Sequence, residues 1–263
     1  MHDLFFSIGL FVAGAAGGAL NSVAGGGSFI VFPTMLLGGT SPVAANATTT
    51  VALWPAGLAS IGPYHRHLPA DKRMFGVLAI ASVLGGGVGA TLLLFTSDQT
   101  FARILPLLML AAAVIFTFGP RFTNKRAPSG SPTEPPPRAT ALALAGGAAV
   151  QLFISTYGGY FGGGMGIMML ATFTLMGMTH MHEMNALKVV LGLLINGVAL
   201  VAFLGAGKVV TSAAIPIALG SIAGGWSGAA LARRVDPRHV RQVVLVVAWS
   251  LTAWFFYSRW FGR

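Results

Sequence analysis

The chain contains no cysteine, which excludes disulfides and thiol chemistry. Charge is almost as scarce. Asp, Glu, Lys and Arg make up 8% of 263 residues, where a soluble domain carries about 25%. Between Asp3 and Arg66 no side chain is charged, apart from His65 when protonated. So little charge cannot cover a water-facing surface. The alternating ten-residue pattern of a membrane β-barrel is missing too. "MHDLFFSIGLFV" lacks a basic n-region, so it reads as a first span and not a cleaved signal peptide. No Gly-Lys-Ser/Thr follows the glycine runs, which rules out a P-loop, and no nucleophile–base constellation is visible. The 6 acids stand at loops or segment ends, so an enzyme is disfavoured.

What is present is apolar. Hydrophobic residues are 55% of the chain and its mean hydropathy is +0.77. A helical span needs about 20 mostly apolar residues, and the chain supplies such runs nearly end to end. The expected fold class is an all-α polytopic membrane protein. Its apolar segments fall at about 4–24, 28–38, 43–63, 74–95 and 101–118, then at 140–160, 165–178, 184–205, 210–232 and 239–258. Between the two sets lies "GPRFTNKRAPSGSPTEPPPRA", residues 119–139, rich in Pro, Ser and basic residues and read as a flexible linker.

Five segments, a linker and five segments suggest duplication. Gly25-Gly26-Gly27 matches Gly162-Gly163-Gly164 at an offset of 137 residues. Gly38, Asn46 and Ala47 match Gly177, Asn185 and Ala186 at 139, as "GGGVGA" (85–90) matches "GGWSGA" (224–229). Asp98 and Arg103 match Asp236 and Arg241 at 138. The expected organisation is therefore a first membrane repeat at 1–118, the linker at 119–139, and a second repeat at 140–263.

The net charge of +10 does not point to nucleic acid, because the basic residues sit in short loops. Loop 64–73, the linker and loop 232–241 together hold 11 of the 16 basic residues and are placed in the cytoplasm of an inner-membrane protein. Both termini then lie outside, although Arg259 and Arg263 count against the C-terminal placement. With five segments per repeat, the two repeats are inverted with respect to each other. That architecture recurs in transporters, with substrate held near the midplane.

The glycine runs interrupt this pattern. After "AGGG" the apolar piece at 28–38 is too short to cross; about 11 residues at 1.5 Å each reach roughly 16 Å, about half the hydrocarbon core. "YFGGGMGIMML" repeats the arrangement. Both read as a long helix, a break at membrane depth and a half-helix, with re-entrant hairpins as the open alternative. A half-helix starting at Ser28 or Met165 presents unpartnered backbone N–H groups and the positive end of its dipole. Glycine lets a ligand approach that backbone, and such a break is tolerated only where it is buried or lines a wet cavity. Two of them make an anion site that needs few formal charges. "GGGVGA" and "GGWSGA", inside uninterrupted spans, read as helix packing instead.

Polar residues within spans mark a pathway. Asn21, Ser22, Ser28, Asn46, Thr48, Thr49 and Thr50 are those of the first half. Gln151, Ser155, Thr156, Tyr157, Tyr160, Asn185 and Lys188 are those of the second. Lys188 interrupts "ALKVVLGLL" and matches Thr49. A substrate anion is one partner for it; Glu183, five residues earlier, or an interface is the other. His65/His67 and His180/His182 with Glu183 have no recognised metal spacing and read as interfacial, so no metal site and no cofactor are expected.

These residues resemble a family. "GLFVAGAAGGALNSVAGGGSFIVFPTMLLGGTSPVAANATTTVAL" is similar to the signature of TauE/SafE sulfite-exporter-like proteins: a Gly-rich first span, a GGG break, an apolar half-helix with Pro33, and a helix start rich in Asn and Thr. The second half departs from it at Leu170, which stands in the proline position, and at Leu187 and Lys188, where threonines often stand. The resemblance implies secondary transport of small anions, often outward, with sulfite and organosulfonates as the usual substrates. The expected substrate contacts are the breaks at Gly25, Gly26, Gly27, Ser28 and at Gly162, Gly163, Gly164. Side chains of Asn21, Ser22, Asn46, Thr48, Thr49, Tyr157, Asn185 and Lys188 complete the set. The expected partners are a small anion and the lipid bilayer, with a homodimer left open. A channel-like anion pathway and a non-transporting assembly or partner-binding protein are the alternative readings.

Overall fold

The computed structural model describes residues 2–24, 26–64, 71–124, 141–231 and 237–260. All ten elements among them are α-helices: α1 His2–Ala24, α2 Ser28–Leu37, α3 Pro42–Tyr64, α4 Lys72–Phe95, α5 Asp98–Asn124, α6 Ala141–Tyr160, α7 Met165–Leu175, α8 Met181–Gly205, α9 Thr211–Leu231 and α10 Pro237–Trp260. Among the described residues four stretches are long and apolar enough to cross a membrane, namely Lys72–Phe95, Asp98–Ile115, Ala141–Tyr160 and Glu183–Gly205. Large apolar side chains such as Phe95, Leu142 and Trp226 face outward, as they do on helices surrounded by lipid. The protein is a multi-pass membrane protein.

Helix limits follow the apolar segments closely, with one shift. α5 continues through 119–124, where the sequence reads as the start of the linker. The rest of the linker, 125–139, lies outside the described residues, as do 65–70 of loop 64–73 and 232–236 of loop 232–241. Asp71 starts α4 by accepting hydrogen bonds from Arg73 N at 2.9 Å and Met74 N at 3.0 Å, an ordinary carboxylate cap.

Each half begins with a hairpin of a long and a short helix. Gly27 packs against Gly17 and Asn21, partway along α1, and beyond the end of α2 Gly38 meets the Phe6 ring. α2 therefore runs back along α1. In the second half Met165 covers Gly158 and Met176 covers Gly147, so α7 runs back along α6. With 10 and 11 residues, the short helices each reach about 15 Å.

The most extensive packing joins the halves to each other: α1 lies on α9, and α4 on α6. Gly14 and Gly18 meet Ile217 and Ser221 in the same order, so α1 and α9 run parallel. Gly85 and Gly89 meet Ser155 and Thr156, so α4 and α6 do too. A Cβ at Gly18 would overlap the Ser221 carbonyl, one at Gly224 that of Ala15, and one at Gly89 that of Thr156. These are backbone-to-backbone approaches, the packing that small residues permit where lipid removes any hydrophobic drive between helices.

Exchanging the first five helices with the last five maps most of this network onto itself, the α1–α10 and α3–α5 contacts excepted. The pair α1–α9 goes to α6–α4, α3–α9 to α8–α4, α1–α2 to α6–α7 and α2–α3 to α7–α8, while α3–α8 and α5–α10 map to themselves. At the centre, α3 and α8 are antiparallel. The Trp54 indole N–H donates to the Leu193 carbonyl at 3.1 Å, Trp54 also borders Gly197, and Gly57 rests on the Leu193 side chain.

Candidate substrate site

Both half-helices start without a side-chain cap. Gly27 precedes α2, and Gly164, in the left-handed region at φ +80°, precedes α7. Only glycine adopts that conformation without strain. Phe29 N and Ile30 N turn inward to Gly26 O and Gly27 O, and Ile167 N to Gly164 O, each at 3.1 Å. The N–H groups of Ser28 and Gly166 find no acceptor among the described residues. Gly26, Gly27, Gly163 and Gly164 are buried, and Gly162 and Ser28 are half-buried. Among the described residues each break thus leaves one N–H at a helix N-terminus without an acceptor, the geometry that favours an anion. Gly25 and the Ser22 side chain lie outside the described residues.

Lys188 reaches the second break. Its Cγ, Cδ and Cε run along Gly166, where an added Cβ would stand 3.2 Å from Cδ. Lys188 is half-buried, and among the described residues it has neither a carboxylate nor a hydrogen-bond partner. Glu183, the neighbouring acid on its helix, does not pair with it. Asn185 sits half-buried one turn before it on α8. Tyr157 braces the same break from α6, its hydroxyl donating to the Gly163 carbonyl at 2.7 Å.

The first half contributes to the second break as well. Asn46, 3% exposed on α3, donates through Nδ2 to the Tyr160 carbonyl at 3.0 Å, directly before the second break. Thr49, the counterpart of Lys188, is 1% exposed, and its hydroxyl has no hydrogen-bond partner. Leu53, one turn further along α3, packs at Gly17 beside Gly27 and Val31, which puts this face of α3 toward α2 and the first break. Thr48 is directed elsewhere: its hydroxyl accepts from Val210 N at 3.0 Å, ahead of α9. Asn21 is half-buried beside Gly27.

An aromatic cluster adjoins the second break. Phe161 meets Phe32 edge-on at 6.1 Å and Tyr157 at 6.2 Å, and Phe101 meets Tyr160 at 5.7 Å. Phe101 stands in the first turn of α5, so the cluster fills the space between the breaks and the face where α4 ends. Sequence reasoning did not single out Phe161 or Gly166. The signal for Gly166 was present in "GGGMGIMM", a fourth glycine just inside the half-helix. Among the described residues no group of three or more His, Asp or Glu is placed to hold a metal ion.

A multi-pass helical protein with paired hairpins, broken helices and polar groups gathered at the breaks has the build of a membrane transporter. Comparison with known proteins carries this further. The model of the family described as Sulfite exporter TauE/SafE matches residues 10–255. The chain belongs to the TauE/SafE family. It is similar to a "Probable membrane transporter protein" of Haemophilus influenzae, at 27% identity over 96% of this chain and 95% of that protein. A similar match is the "Probable membrane transporter protein YfcA" of Escherichia coli K12, at 24% identity over 95% of this chain and 89% of that protein. A third, "Probable membrane transporter protein ORF9" of Sinorhizobium sp., is 32% identical over 46% of this chain and 47% of its own length. No solved structure matches the chain. Relatives and fold agree on a membrane transporter.

Proposed function

We propose that the protein is a secondary transporter that exports a small oxyanion, sulfite or an organosulfonate, across the inner membrane. The observation that carries this reading is Lys188, a cation with no partner among the described residues, lying along the start of a half-helix whose Gly166 N–H likewise finds no acceptor among them. A formal positive charge and a positive helix end at one place suit an anion. Ser28 N–H and Thr49 offer matching donors from the first half. The family description supplies the sulfur chemistry, which the site geometry alone does not distinguish from other small oxyanions.

The pseudo-symmetric helix pairing and the opposed directions of α3 and α8 support two inverted repeats. With linker 119–139 in the cytoplasm and the termini outside, the aromatic cluster closes the outer face, and access alternates as the body built on α1 and α9 and the body built on α4 and α6 rock about the α3–α8 contact.

The test is thermal stability of the purified protein against sulfite, sulfate, sulfoacetate, taurine, nitrate, a carboxylate and chloride. A ligand bound only by the folded state at 100 times its Kd adds about 2.7 kcal/mol. The expected result is a rise in Tm with sulfite or sulfonates that Lys188→Met removes. A rise confined to carboxylates discards the sulfur assignment. No rise with any anion overturns the site.

A further inference from the structure

We propose that Lys188 also carries a proton, so that the transporter moves one monovalent strong-acid anion together with one proton per cycle, without net charge. This inference rests on the anion-site reading above and adds to it the substrate's charge and the coupling ion.

Among the described side chains the site holds a single formal charge. Lys188 is the cation; its counterpart Thr49 is neutral and buried. α7 carries no titratable residue from Met165 to Leu175. The other helices packed on α8 are α3, α4 and α6. α6 offers Tyr157, its hydroxyl engaged by the Gly163 carbonyl, and Tyr160, whose hydroxyl lies 3.3 Å from Thr96. α4 offers Lys72 and Arg73 in its first turn, and α3 has no titratable group among its described side chains. On α8 itself Glu183 makes no ion pair with Lys188, and His180 precedes the helix.

A monoanion therefore neutralises this site, whereas a dianion leaves it charged. The empty site poses the complementary difficulty. Among the described residues no carboxylate is placed to take the position of the departed anion, so a protonated Lys188 would have to return as an unpaired charge, which is strongly disfavoured inside a membrane. Lysine has an alternative that arginine lacks, since an ammonium can give up a proton and a guanidinium cannot. On the outward side the anion leaves and one Nζ–H bond breaks, its proton passing to external water. Neutral Nζ returns, takes a proton from water on the inner side, and binds the next anion. Each cycle exports one anion and one proton.

Proteoliposomes loaded with methanesulfonate, which holds no proton at neutral pH, separate this coupling from a proton carried by the substrate. The expected efflux of the wild type acidifies the receiving side in step with methanesulfonate and does not respond to a potassium diffusion potential set with valinomycin. Lys188→Arg keeps the charge and cannot release a proton. It is expected to lose net efflux, while exchange of labelled for unlabelled methanesulfonate reports separately whether the variant still binds the anion. Wild-type efflux that moves no protons and follows the imposed potential overturns the coupling and leaves the anion transporter standing. Undiminished net efflux by Lys188→Arg has the same meaning. Should the variant lose exchange as well, the wild-type proton measurement decides by itself. A wild type that neither exchanges nor releases methanesulfonate sinks the anion reading and this coupling together.

Discussion

The Asn46 amide donates to the Tyr160 carbonyl at 3.0 Å, across 114 residues of sequence. It ties a helix of the first half to the last residue before the break in the second. The carbonyl lies where α6 ends and has lost its helical partner, so Asn46 acts as a C-terminal cap supplied by the other half.

Asn46→Leu should therefore uncouple the halves at the site. It strands the Tyr160 carbonyl in an apolar setting, which costs about 1–3 kcal/mol. Thermal unfolding in detergent is expected to show that loss, with reduced anion flux in proteoliposomes. Unchanged Tm would mean that the carbonyl has another partner.

Thr49→Val should act in the opposite direction on stability. The side chains are nearly isosteric, and the hydroxyl removed is buried without a partner. Relief of that unmet polarity is expected to stabilise the ligand-free protein by about 1–2 kcal/mol. The same variant should bind sulfite or sulfonate less tightly if, as proposed, the bound anion is the partner the hydroxyl lacks. A gain in Tm with unaltered anion response would remove Thr49 from the site.

Glycines of two kinds should behave differently under one substitution. Gly224→Ala pushes a methyl group into the Ala15 backbone and is expected to cost about 1–3 kcal/mol through overpacking. At Gly76 an added Cβ meets nothing within 4 Å, and alanine there should stabilise α4 by up to about 1 kcal/mol through helix propensity. Equal effects on Tm would contradict the close α1–α9 approach.

Gly166→Ala tests the path of Lys188. The new methyl stands 3.2 Å from Lys188 Cδ, tight enough to displace a flexible stem by a few tenths of an ångström. Stability should change little, while anion affinity falls roughly tenfold, equivalent to about 1.4 kcal/mol. Affinity equal to the wild type would show that the ammonium reaches the anion by another route.

Much of the helical framework was readable from composition and hydropathy. The segment at 28–38 became Ser28–Leu37 and the one at 184–205 became Met181–Gly205, because in lipid a backbone with no water must close its own hydrogen bonds. The half-helices were readable for the same reason: a glycine run followed by too few apolar residues cannot cross. Side-chain direction was less accessible. Thr48, Thr49 and Thr50 are neighbours of one type in sequence, yet Thr48 turns to Val210, Thr49 is buried without a partner, and Thr50 bonds back to the Asn46 carbonyl at 3.0 Å. Helical rotation of 100° per residue separates them, and no local signal says which face meets which neighbour.

By itself the sequence determined the class of protein, its ten helical segments, the two breaks and the single interior lysine. Each follows from a local cost: exposing apolar surface to water, leaving backbone unbonded in lipid, or burying charge. Only the tertiary structure decided that α1 packs on α9 and α4 on α6, so that each tightly packed body draws helices from both halves of the chain. Gly14, Gly18, Gly85 and Gly89 permit close approach to any helix with small residues in register, and lipid is as apolar as their neighbours, so the choice of partner rests on the fit of complete surfaces. The same choice brought Asn46 of one half to the break of the other, and Lys188 to the half-helix where its charge has no partner among the described residues.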